Sequence, residues 1–455
     1  MLLGWGLRGY IGGGPYGALI PGCYVALCLC LLLGYRMETA AMAALFGAVG
    51  VGYGGDMTYG QTLGFLRDPS TAWWGHLGCT VKGGVWGLLG GAVLGVGLAR
   101  DRYDRKTLTI AFLITIVAFY IGVKLINEPK LIYFSNRLDK PREESWAGLL
   151  FAAFAFLGYL RAKGTAADIR IPLQFALWGA LGGAIGFGGG ALWLTFGPPD
   201  FKWIGWWKAM EFSFGFAFGA ALGWCAYLNQ DGLRSAEKKA ESPEAAWIPL
   251  VALVAFVIAI FAAFPILLRI LPEGLREDRS LGAILLKDSF RIVIGFIFFG
   301  GISIIAGLRS LHVAWQVAIT LTFFHTVLDL MEDYSNPEHF GFTLPGSVRF
   351  AIIIASTAVV AVVVHQLHRG PNAVPRLLLL AVWSCFLTAT ARSFINKNYF
   401  FPPEGENPVS ALIKAEPSMI FVHGTFTLSA IITTWFILRM FGQLPTANIP
   451  DAKRV

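Results

Sequence analysis

The sequence predicts an all-α fold, a polytopic transmembrane helix bundle of about thirteen spans. Three observations carry that expectation. Hydrophobic residues fill 56% of the 455 positions and charged residues only 14%, where soluble domains carry roughly a quarter. Mean hydropathy is +0.61. The apolar residues also fall in runs approaching the ~20 residues that a helix needs to cross hydrocarbon. A water-soluble globular chain, a disordered one and a fibre are excluded by the same numbers.

Taken in order, the first seven expected spans are Tyr16–Gly34, Thr39–Gly55, Gly75–Ala99, Thr107–Ile126, Trp146–Leu160, Ile171–Phe196 and Trp206–Leu228. The remaining six are Trp247–Leu271, Leu281–Leu308, Val313–Leu330, Val348–Leu367, Val374–Ala391 and Pro417–Met440. The second, fifth and sixth are short or interrupted by glycine. Basic residues divide almost evenly between the two sides. Those after odd-numbered spans sit in short loops such as Arg100–Lys106, where the positive-inside rule applies. The expectation is therefore a plasma-membrane protein with its N-terminus outside and its C-terminus in the cytoplasm. The flanks of the first run are the reverse of a secretory signal, with Arg8 before it and Arg36 after it.

The net charge of +8 reads as contact with anionic headgroups rather than nucleic acid, because the basic residues lie between apolar runs. All six cysteines fall inside apolar runs without zinc-ligand spacing and read as small buried hydrophobes. Loops after even-numbered spans are longer and rich in aromatic residues, Pro and Gly. Trp73, Trp74, Trp206 and Trp207 suit headgroup anchors there.

An internal repeat is visible. The run Gly47–Gly55 resembles Gly182–Gly190; each precedes a loop ending in a tryptophan pair, Trp73-Trp74 or Trp206-Trp207. Order and an offset of roughly 124–134 residues both recur, which predicts a parallel duplication of spans 1–4 in spans 5–8. The expected organisation is a first transmembrane repeat over 1–142, a second over 143–272 and an additional transmembrane half over 273–455. Gly87, Gly91 and Gly95 put a smooth stripe on the third span, which fits a close helix–helix seam.

Charges inside spans are costly and therefore informative. Aligning the repeats places Lys82 and Glu211 at similar depth, and predicts an intramembrane Lys82–Glu211 pair. Asp56, His76, Arg291, Arg349 and Arg392 approach the same side and complete the candidate substrate-binding set. The arginines suit phosphate or carboxylate. His325, Asp329, Glu332 and Asp333 share one face of the tenth span and are candidates for acid/base work or a divalent metal. A nucleotide-binding Gly-x-x-x-x-Gly-Lys-Ser/Thr loop and a Gly-x-Ser-x-Gly elbow are both missing from the sequence.

The opening Gly4-Trp5-Gly6-Leu7-Arg8-Gly9, followed by Gly17-Ala18-Leu19-Ile20-Pro21-Gly22, resembles the start of a family of uncharacterised bacterial polytopic membrane proteins. Met57–Thr62 and Lys82–Trp86 add to that likeness. The resemblance implies a bacterial inner-membrane protein and no activity. Three functions fit the residues: a transporter for a small polar or anionic solute or a lipid headgroup, an outward-facing transferase or hydrolase on a lipid-linked substrate, and a non-catalytic subunit. The expected partners are the bilayer, that solute or headgroup, and further subunits, with no nucleic acid. A transporter predicts polar groups continuing to the cytoplasmic end; an outward-facing enzyme predicts that end closed.

Overall fold

The computed structural model describes residues 1–10, 14–55, 57, 60–135, 144–236, 295–334, 344–370, 372–395 and 405–441. Within them every regular element is helical. A short helix, α1 (Leu2–Arg8), is followed by α2 (Gly14–Leu33), α3 (Met37–Gly54), α4 (Ala72–Leu98), α5 (Arg105–Asn127) and α6 (Trp146–Lys163). Then come α7 (Ala166–Phe196), α8 (Trp206–Leu228), α9 (Gly295–Gly307) and α10 (311–334). The last are α11 (Gly346–Arg369), α12 (Ala373–Ile395) and α13 (Met419–Phe441). Shorter helices at Gly60–Gly64, Gln230–Ala236 and Pro408–Ala415 lie in the connections.

Eight of the described helices are long and apolar enough to cross a membrane: α2, α4, α5, α7, α8, α11, α12 and α13. This is consistent with an integral membrane protein. The expected second and fifth spans exist as α3 and α6, 18 residues each, but are less apolar. The reason for α3 is its surroundings: Thr39 to Gly54 are all buried against protein, so small residues can replace the large side chains that lipid contact favours. The expected eighth span, Trp247–Leu271, and the first part of the ninth lie outside the described residues.

Burial separates a centre from a rim. In α2 and α4, 89% and 83% of the apolar window is inside the protein, against 11% in α11 and 22% in α13. The rim helices turn Phe350, Val359, Leu428 and Trp435 outward, as a lipid-facing surface requires. At the centre, α4 runs against α7 backbone to backbone. A Cβ on Gly83 would lie 2.2 Å from the Gly183 carbonyl oxygen, and one on Gly87 1.8 Å from that of Gly179. On Gly91 it would lie 2.1 Å from the Phe175 oxygen. One series rises as the other falls, so the helices are antiparallel, and the glycine stripe read from the sequence is this seam.

The helix ends are explained locally. Asp104 caps α5 by accepting a hydrogen bond from the Thr107 amide at 2.6 Å, and that bond holds its carboxyl below the ordinary value. Thr165 and Asp168 form a capping box at the start of α7. Asn127 Oδ1 accepts from the amides of Ala147 and Gly148, both at 3.1 Å, tying the end of α5 to the start of α6. Among the short basic loops, Arg102 clamps two connections by donating to the carbonyls of Ala167 (2.7 Å) and Gly232 (3.0 Å).

The sixth span is not broken at its glycines. Ile185–Gly189 instead forms a π turn and the helix continues. With glycine at three of its five positions, the segment widens by one residue while keeping its backbone bonds, which an open break inside hydrocarbon would lose. Two further π turns occur at Val123–Asn127 and at Gln316–Thr320, inside α10. The second span is continuous through Gly54, so its glycines do not interrupt it either; positions 56, 58 and 59 lie outside the described residues.

Candidate functional site

Lys82 stands ten residues into α4, about 15 Å along its axis, with its side chain 1% exposed. Its ammonium donates to Glu144 Oε1 at 2.6 Å and to Thr62 Oγ1 at 2.8 Å. Glu144 also accepts from the Phe134 amide and the Ser135 hydroxyl, both at 3.0 Å. The connection carrying Thr62, together with Phe134, Ser135 and Glu144, thus closes over this face of α4. A buried charge is tolerable when paired and hydrogen-bonded, and here both members are.

The expected Lys82–Glu211 pair is not formed. Glu211 takes Lys208, one turn earlier on α8, at 2.7 Å, and accepts from Trp207 Nε1 at 2.9 Å. Lys208 also donates to the Gly6 carbonyl at 3.0 Å, and its Nζ sits 3.8 Å from the Tyr10 ring centroid. The physical reason is proximity. A partner three residues away on the same helix face, and a carboxylate delivered by a loop, satisfy these charges before another span can. Nearby, Arg8 is 2% exposed, stacks over Trp86 (5.0 Å) and Trp5 (5.6 Å), and donates to the Gly14 carbonyl at 3.4 Å. These groups lock the α1–α8 end of the bundle.

His76 holds the π turn of α7. Its Nδ1 lies 3.4 Å from the Gly188 carbonyl oxygen and its Nε2 3.0 Å from Thr195 Oγ1. The carbonyl can only accept, so Nδ1 carries the proton there. Arg349 sits in the first turn of α11 and Arg392 in the last turn of α12, both half-buried. Asp56 and Arg291 lie outside the described residues. So do the side chains of His325, Asp329, Glu332 and Asp333, although their helix, Leu321–Tyr334, is described.

The ion pairs are closed on themselves, and a small, mostly apolar cavity lies elsewhere. A cavity of about 50 Å³ sits among α1, α2, α10, α11 and α12, and the hydroxyls of Thr322, Thr326, Ser384 and Thr388 contribute to its wall. At about 15 Å³ per water, it has room for about three. Thr322 and Thr326 donate back to the Ile319 and Thr322 carbonyls at 2.6 and 2.9 Å, which leaves their oxygens able to accept from a guest.

From this cavity, polar groups continue along α10 toward the end of the bundle opposite the ion pairs. Thr320 donates to Gln316 Oε1, and Gln316 Nε2 donates to the Ala361 carbonyl of α11 at 3.0 Å. Both side chains are buried within the π turn. One turn further stands His312, beside His365 and His368 of α11. From Thr326 to His312 is about 21 Å of helix. Three histidines and a buried Gln–Thr pair therefore put polar groups at this end of the bundle. His365 and His368 carry a legible spacing, one turn apart on one face, but His312 is over 50 residues away in sequence.

No family model, curated protein or solved structure matches the chain.

Proposed function

We propose that the protein is a permease for a small polar solute, with its route along α10. The observation that carries this reading is a small, mostly apolar cavity inside the bundle that bears four hydroxyls, with Thr320, Gln316 and the histidines following it along α10 and α11. Polar groups running from the cavity to the His312 end of α10 support the transporter expectation, which assigns that end to the cytoplasm. A space for a few heavy atoms favours a small solute over a lipid headgroup carrying its chains. Under this reading Lys82–Glu144 and Lys208–Glu211 hold the frame and do not touch cargo. The duplication belongs to the same reading: both tryptophan pairs open a long helix, α4 and α8.

Thiol accessibility tests it. In a chain freed of its six native cysteines, Thr326→Cys and Thr388→Cys are exposed to a membrane-impermeant thiol reagent. The reagent is applied to vesicles of either orientation. Labelling from both faces is the expected result. Labelling from one face only, or from neither, while the detergent-solubilised protein reacts, overturns the route.

A further inference from the structure

Three imidazoles converge where α10 begins and α11 ends. Ser310 caps the start of α10 by accepting from the Val313 amide at 3.4 Å, which sets His312 in the first turn. His365 and His368 occupy one face of the last turn and a half of α11. His312 Nδ1 lies 3.3 Å from His368 Nε2 and 3.3 Å from His365 Nδ1. One ring nitrogen from each residue lies within 4.8 Å of the other two. His365 stands nearly perpendicular to both other rings, at 89° and 86°. The rings therefore bring their nitrogens close together without stacking.

Hydrogen bonding alone satisfies this arrangement poorly. A neutral imidazole offers one N–H and one lone pair. His312 Nδ1 is at the hub of two contacts and can serve one of them well. Among the described residues no carboxylate forms an ion pair with any of the three. A tetrahedral zinc ion bonds imidazole nitrogen at about 2.0–2.1 Å, which sets ligand nitrogens about 3.3–3.4 Å apart. Two of the three separations already have that value, and the third lies within 4.8 Å. Nitrogen donors without carboxylates select zinc-like ions over magnesium or calcium. His312 and His365 are half-buried and His368 is buried, so an ion can enter from solvent and be held.

We propose that His312, His365 and His368 form a binding site for a divalent transition-metal ion of the zinc class, its fourth corner open to water or an anion. Bound there, the ion ties the first turn of α10 to the last turn of α11. The site does not depend on the permease reading, because binding is measured without any flux.

The test uses full-length protein in detergent, without a polyhistidine tag, stripped by chelator and titrated with Co²⁺ alone. One equivalent is expected to bind with the strong visible d–d bands of a tetrahedral site, be displaced by Zn²⁺ and ignore Mg²⁺. H312Q and H365A are each expected to lose the bands, and H423A, which alters a histidine of α13 outside the cluster, to keep them. Absence of a stoichiometric Co²⁺ site in the unmodified chain, or bands retained in both H312Q and H365A, overturns the proposal. If those variants do not fold, X-ray absorption on the Zn²⁺-loaded unmodified chain decides. Three imidazoles in the shell sustain the site, and fewer than three refute it.

Discussion

Lys82 and Glu144 are each other's condition for burial. Both side chains are 1% exposed, so removing either leaves a full charge deep inside the protein, a change that typically costs about 3–5 kcal/mol. Lys82→Ala is expected to lower the unfolding temperature sharply in detergent. The double variant Lys82→Met with Glu144→Gln should recover most of the loss, because Gln keeps an acceptor for the Phe134 amide and the Ser135 hydroxyl while removing the charge. A double variant as unstable as the single one would show that the charges themselves are required. The same residue marks how far the sequence could be read. An isolated lysine inside an apolar run announces a buried charge. Its partner was hidden because Glu144 sits in a connection, and helix-face arithmetic ranks partners only among spans. The histidine triad was hidden differently: one pair has helical spacing, while the third member joins only when α10 packs against α11.

Among the elements, the α4–α7 contact was the most legible, since a four-residue glycine period has few other uses on an apolar helix. Its partner was not, because Gly183 sits in the run Gly182–Gly190 that also matched Gly47–Gly55 as a repeat, and Gly179 lies just before it. Gly87→Ala puts a methyl 1.8 Å from the Gly179 oxygen, so the two backbones must part. Gly84→Ala, whose nearest neighbour is 3.6 Å away, makes ordinary contact. Size-exclusion profiles should therefore show little folded protein for Gly87→Ala and a normal peak for Gly84→Ala. Equal behaviour of the two would remove the seam from the account. The π turns were illegible for a plain reason. Helical periodicity reports average pitch, and one extra residue in Ile185–Gly189 or Gln316–Thr320 barely alters it.

For the whole molecule, the sequence supplied the class and the order of helices and left the arrangement to packing. Apolar length shows which segments can cross, not which sit at the centre. The central α2–α4 group and the lipid-facing α11 and α13 differ little in hydropathy and greatly in burial. Orientation is a molecular property of the same kind, argued from short basic loops. Single cysteines at Lys163, after the fifth expected span, and at Lys202, after the sixth, are both exposed positions on opposite sides. An impermeant reagent added to intact cells is expected to modify the one at 202 and spare the one at 163. The reverse pattern would invert the assigned topology.

The main-chain contact between α4 and α7 also has a mechanical consequence. Side chains that interdigitate can yield by changing rotamer; two peptide backbones pressed together have no such freedom, so their junction is stiff. The water-sized space, by contrast, is bounded by threonine, serine and aliphatic groups that can each pivot. Thermal breathing should therefore be partitioned unequally, with α4 and α7 serving as a keel and α10, α11 and α12 supplying the compliance.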